Sequence, residues 1–193
     1  MLCISLKAYT RACAPVTGGI SDILVFDPSD MNFTQAAPVS GSASPYSAIA
    51  LRAGATAEGG AKMFNTSFLR DEADWNWTQS VKGCSTKYEH KFGFQLPENS
   101  QTLTTFLQAL DSASCCCGLG MIIRLNDGRI FVAGEKYVNG SAISRFTIVQ
   151  NGSTGGTGKL YDDFNGGNIV LVGPYSRNLY EYNGDWADIE ALM

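Results

Sequence analysis

The chain has 193 residues, 45% of them apolar and 17% charged, with a formal net charge of −4 at pH 7. That balance argues against a disordered chain, which needs low hydrophobicity and high charge, and the length suits a single domain, residues 1–193, with its own core. The acidic total also argues against a protein that holds nucleic acid through phosphate contacts, which calls for a basic face.

Residues 3–8 and 20–26 read as strands, and residues 35–45, rich in Ala, Pro, Ser and Gly, as a loop. The opening Met1-Leu2-Cys3-Ile4-Ser5-Leu6-Lys7 is too short and too soon charged for a signal peptide. No stretch approaches the ~20 apolar residues of a membrane span. Residues 46–52 and 62–69 read as two strands around the connection Ala53-Gly54-Ala55-Thr56-Ala57-Glu58-Gly59-Gly60. That connection is long, small-residued and weakly charged, as a surface loop is.

Residues 75–81 and 86–96 read as further strands, with Trp75 and Trp77 on one face and Asn76 and Thr78 on the other. An amphipathic helix is expected over residues 98–112. Leu103, Phe106, Leu107 and Leu110 fall at i, i+3, i+4 and i+7 and form one apolar stripe, predicted to be buried. Asn99 or Ser100, following Pro97, is suited to cap it. A hairpin is expected next, with residues 121–125 and 129–132 joined by Asn126-Asp127-Gly128, residues that tolerate positive φ. A Gly-rich loop over residues 151–159 follows strand 144–149, and strands 167–173 and 178–182 complete the β content.

The one histidine, His90, sits in Lys87-Tyr88-Glu89-His90-Lys91 and reads as a surface-strand residue. Nothing local offers it the nucleophile and orienting partner that acid–base catalysis demands. Asp71-Glu72-Ala73-Asp74 spells a helicase-type acidic box, but the candidate phosphate loop ending Gly156-Thr157-Gly158-Lys159 departs from G-x-x-x-x-G-K-[ST] at Ser153 and Leu160. The acidic run therefore reads as a solvated turn. A calcium loop at residues 162–166 lacks the alternating ligands and the distant Glu. The six cysteines include no C-x-x-C pair, so they lack zinc spacing. Cys115, Cys116 and Cys117 read as small buried residues between helix and strand, with an inter-subunit disulfide as the alternative. Sequons at Asn32, Asn65, Asn76, Asn139 and Asn151 read as chance in an Asn/Ser/Thr-rich chain. No enzyme activity, cofactor or metal is expected.

The order of pieces in the second half resembles the major tail tube proteins of bacteriophages. Those pieces are Glu89-His90-Lys91-Phe92, the helix, Asp127–Gly134, Gly156-Thr157-Gly158-Lys159, Asp163-Phe164-Asn165-Gly166, Leu171-Val172-Gly173 and Tyr180-Glu181. Gly18-Gly19-Ile20 ahead of the first long strand, with an acidic turn after it, adds to the resemblance. The resemblance implies a mainly β, α+β fold: an antiparallel β-sandwich or partial barrel with a single flanking α-helix. It implies rings, usually of six subunits, stacked into a hollow conduit for DNA. The partners implied are further copies of the chain, tape measure and tail completion proteins, and DNA as transient cargo, with no membrane. The place implied is the virion tail, assembled in the bacterial host cytoplasm. Gly54, Ala55, Thr56, Glu58 and Gly59 in one loop, and Gly155, Gly156 and Lys159 in the other, are the expected contacts between rings or subunits.

The alternative is a secreted or cell-surface β-sandwich that binds carbohydrate, with Trp75, Trp77, Tyr175, Tyr180, Tyr182 and Trp186 available to stack on sugar rings.

Overall fold

The computed structural model describes residues 18–36, 44–52, 63–69, 71–116, 118–143, 148–157, 159 and 163–193. Strands run in chain order as β1 (Ile20–Phe26), β2 (Met31–Gln35), β3 (Tyr46–Leu51), β4 (Met63–Asn65), β5 (Ala73–Lys82) and β6 (Ser85–Pro97). Helix α1 (Gln101–Cys116) precedes β7 (Gly120–Leu125), β8 (Ile130–Ala133), β9 (Tyr137–Val138) and β10 (Ser141–Ala142). Then come β11 (Val149–Gln150), β12 (Thr154–Gly156), β13 (Gly166–Tyr175), β14 (Tyr180–Tyr182) and a short helix α2 (Trp186–Glu190). The architecture is mostly β, with two sheets and one main helix. It is an α+β sandwich without a closed barrel, as the sequence leads one to expect.

A nine-stranded sheet has the order β10-β9-β2-β3-β14-β8-β7-β1-β4. Its central strands are buried on both faces, because period-two alternation sends neighbouring side chains into two different cores. Ile23 and Val25 of β1, with Met121 and Ile123 of β7, enter the first core, which the second sheet and α1 cover. Leu24, Phe26, Ile122 and Val132 enter the other core, with Phe33 and Tyr46 from the far strands and Ile189 of α2. The second sheet has the order β11-β13-β6-β5, and β12 also pairs with β13. Phe92, Phe94, Ile169, Leu171 and Tyr175 form its core face.

Helix α1 begins later and ends later than residues 98–112. Glu98 takes φ +72°, which is not helical, and the Ser100 hydroxyl accepts the Leu103 N–H at 3.2 Å as the cap. The helix stops where Gly118, at φ +75°, donates its N–H to the Ala113 carbonyl. Leu103 and Leu110 are buried, while Phe106 and Leu107 are half-buried against the first core. The stripe is therefore real but deepest at its two ends. The strand expected over residues 62–69 is only Met63–Asn65 among the described residues.

The Asn126-Asp127-Gly128 turn is present. Gly128 sits at φ +87°, the Asp127 carboxylate accepts the Arg129 N–H, and Leu125 and Arg129 close the hairpin.

Candidate functional site

Two features carry the chemistry of this molecule: the open edges of the second sheet and a buried charge cluster between the sheets.

Strand β6 pairs with β13 from Tyr88↔Tyr175 to Pro97↔Gly166. Before Tyr88 it pairs, among the described residues, only with β5, through Ser80↔Lys87, Val81↔Thr86 and Lys82↔Ser85. The distal hairpin thus extends past the body of the sheet as a two-stranded ribbon, closed by Gly83 at φ +63° and the exposed Cys84. Strand β5 is the sheet's last strand, so one side of its ten-residue backbone has no strand beside it among the described residues. The opposite edge is formed by β11 and β12.

Trp75 and Trp77 lie on one face, as the alternation predicts, but their surroundings differ. Trp75 stacks on Phe92 and His90, whereas Trp77 is 47% exposed and Val81 65%. The outward face, with Asp74, Asn76, Thr78, Lys82, Lys87, Glu89, Lys91 and Asn168 all exposed, is polar and of mixed charge.

His90 is a correction. Its neighbours Glu89 and Lys91 point outward, but the imidazole is fully buried on the core face. Its Nδ1 accepts the Trp75 indole N–H at 3.1 Å, and Nε2 has no hydrogen-bond partner among the described residues. Burial lowers its pKa below the ordinary 6.5; the Arg177 backbone opposes this and the Arg177 charge adds to it.

The buried cluster has no sequence signature. Gly134 at φ +77° turns the chain after β8 and donates its N–H to the Tyr175 hydroxyl. The next residue, Glu135, is then 1% exposed. One of its oxygens pairs with Arg177 and accepts the Tyr46 hydroxyl at 2.9 Å. Its Oε2 is buried with no partner among the described residues. Burial pushes the Glu135 carboxyl up, opposed by the Arg177 charge. The Arg177 guanidinium also lies 3.6 Å from the Tyr180 ring centroid. Arg177 sits between β13 of one sheet and β14 of the other, so this cluster ties the two sheets together. Its charges are taken up by one another, and it reads as structural.

The Gly-rich segment is not wholly loop. Thr154–Gly156 forms β12, with Gly155 opposite Gly167 and Gly156 opposite Gly166. Asn99 donates to the Gly156 carbonyl and to Asn165 Oδ1, both at 2.7 Å, which fastens the helix entry to this edge. The exposed Lys159 donates its backbone N–H to the Asp163 carboxylate. Gly155 and Gly156 are thus exposed edge-strand residues. Gly54, Ala55, Thr56, Glu58 and Gly59 lie outside the described residues.

Asp71 and Glu72 form an exposed turn into β5. Cys115 and Cys116 are exposed in the last turn of α1, contrary to the expected burial, and Cys117 lies outside the described residues. The helix stripe accounts for this, because Leu103 and Leu110 set the buried face and the cysteines fall off it. Of the six aromatics available for sugar stacking, Tyr175 and Tyr182 are buried in two different cores. Trp186 is half-buried against the second core, with Arg124 over its ring.

No helix among the described residues is long and apolar enough to cross a membrane. No family model, curated protein or solved structure matches this chain.

Proposed function

We propose that this protein is a subunit of a phage tail tube, a structural virion protein that assembles through its sheet edges into stacked rings. The observation that carries the reading is the ten-residue edge of β5, which has no strand beside it among the described residues, next to the exposed Trp77 and Val81. A long unpaired edge with apolar residues is a hazard for a monomer and an asset for a polymer. The same sheet offers β11 and β12 at its other side. Edge-to-edge contact of unlike edges is heterologous, and such contacts generate rings when the rotation closes. The polar, mixed-charge outward face and the net charge of −4 support a lumen that does not hold phosphate, since a conduit needs mobility of its cargo rather than affinity. In this reading DNA is cargo, the tape measure and tail completion proteins are partners, and the assembly forms in the host cytoplasm.

Sedimentation over a range of concentrations tests the proposal. Self-association into large discrete species, together with little duplex DNA binding at physiological salt, is the expected result. Tight, salt-sensitive DNA binding of the kind basic surfaces give would count against it.

A further inference from the structure

From Asn76 to Lys82 every side chain of β5 is exposed, on both faces of the strand. Yet the strand is paired with β6 along its whole length, from Ala73↔Phe94 to Lys82↔Ser85. Its other side has no strand beside it among the described residues. Asp74, Asn76, Thr78, Ser80 and Lys82 fall on the outward face, and Trp75, Trp77, Gln79 and Val81 on the other.

This strand is complementary to its own reversed copy. A two-fold axis between two antiparallel edges sets one residue opposite itself, and residues that stand opposite share a face. With Thr78 at the centre, Asp74 stands opposite Lys82 and Asn76 opposite Ser80, while Trp75 faces Val81 and Trp77 faces Gln79. Symmetry repeats each pair, so one acid and one base per copy form two bridges. Neither Asp74 nor Lys82 is in an ion pair among the described residues. Asp74 accepts the Asn76 amide within its own strand, and a carboxylate has further acceptor sites free for a lysine.

The neighbouring registers fit less well. Centring on Trp77 sets Lys82 against Glu72, which precedes the strand and accepts the Gln95 amide. Centring on Gln79 sets Asp74 against Cys84, beyond the strand's end. Only the Thr78 centre keeps both charges of each bridge within β5. It also gives cover to Trp77, 47% exposed, and Val81, 65% exposed. The two Trp77 rings then lie on one diagonal, within reach of each other.

We infer that β5 of one copy pairs antiparallel with β5 of a second copy, centred on Thr78, in a two-fold dimer whose second sheets join into one. Main-chain hydrogen bonds give an edge contact of this kind its affinity, and the opposed charges fix its register. The paired edge is closed to β11 and β12 of any further copy. In the tube-subunit reading, on which this consequence rests, the dimer is a reserve form that opens before rings grow.

Charge exchange tests the pairing, read by sedimentation velocity below the concentration at which rings form. Asp74→Lys sets Lys against Lys82 twice, and Lys82→Asp sets Asp against Asp74 twice. Each should weaken the dimer about tenfold. The double exchange restores both bridges and should return the dissociation constant to within about threefold of wild type. A benzophenone amino acid in place of Thr78, in mixed isotopically heavy and light copies, should crosslink to Asn76, position 78 or Ser80 of the other copy. Unchanged dissociation in both single variants, no recovery in the double exchange, or crosslinks elsewhere would overturn the inference. So would passage from single subunits to rings with no two-subunit species, which leaves the tube reading standing. Dimers with this charge dependence that never yield rings would keep the pairing and remove the tube reading.

Discussion

The indole N–H of Trp75 and Nδ1 of His90 are hydrogen-bonded at 3.1 Å across the β5–β6 pair, with the rings stacked. The bond requires an unprotonated Nδ1, and burial holds the imidazole below its ordinary value of 6.5. The unfolded chain therefore binds this proton more readily than the folded one. The stability due to His90 is complete above the ordinary value and is lost as pH falls below it. Between roughly pH 7 and 5, wild-type stability in urea should decline more steeply than that of His90→Gln, whose amide still offers an acceptor. Parallel pH profiles for the two proteins would contradict this.

Removing Arg177 should be costly. Arg177→Met leaves the Glu135 carboxylate buried and unpaired, which costs about 3–5 kcal/mol. Adding Glu135→Gln should recover a good part of the loss, because the stranded charge disappears. Urea unfolding of the two variants decides it. A loss below about 1 kcal/mol for the single variant, the range of exposed ion pairs, would mean the pair is not buried as described.

Two glycines with similar φ should respond differently to Ala. At Gly128 a Cβ meets nothing within 4 Å, so only the backbone penalty applies, about 1–2 kcal/mol. At Gly134 the added atom would lie 2.2 Å from the Leu119 carbonyl oxygen. Gly134→Ala should therefore yield little soluble protein while Gly128→Ala folds. Equal thermal midpoints would refute the placement of Gly134.

The helix stripe gives a graded series. Leu110 is 2% exposed, and Leu110→Ala should cost about 2–5 kcal/mol. Leu107 is half-buried, and Leu107→Ala should cost less, about 1 kcal/mol. Equal losses would mean that the helix presents a different face.

Among the described residues, most strands, the helix and the hairpin turn were legible because each rests on a local signal, while the strand expected over residues 3–8 and most of that over 144–149 lie outside them. Period two marks β5, a short apolar run marks β1, period 3.6 marks α1, and Asn126-Asp127-Gly128 marks the turn. His90 was not legible, because flanking charges in a strand say only that alternate residues face out. His90 occupies the other parity, which the sheet buries under Tyr175. Glu135 and Arg177 lie 42 residues apart, and no spacing rule links two loop residues that meet only when both sheets are in place. Gly155 and Gly156 read as loop because glycine disfavours strands. Their pairing with β13 is decided by the partner strand and by Asn99. The open edge of β5 was equally hidden, since sequence marks a strand but not whether a neighbour lies beside it.

Electron microscopy of the purified protein across a wide concentration range tests the central claim most directly. The account predicts hollow rings at moderate concentration and stacked tubes at high concentration. Particles that remain single subunits at every concentration would contradict it.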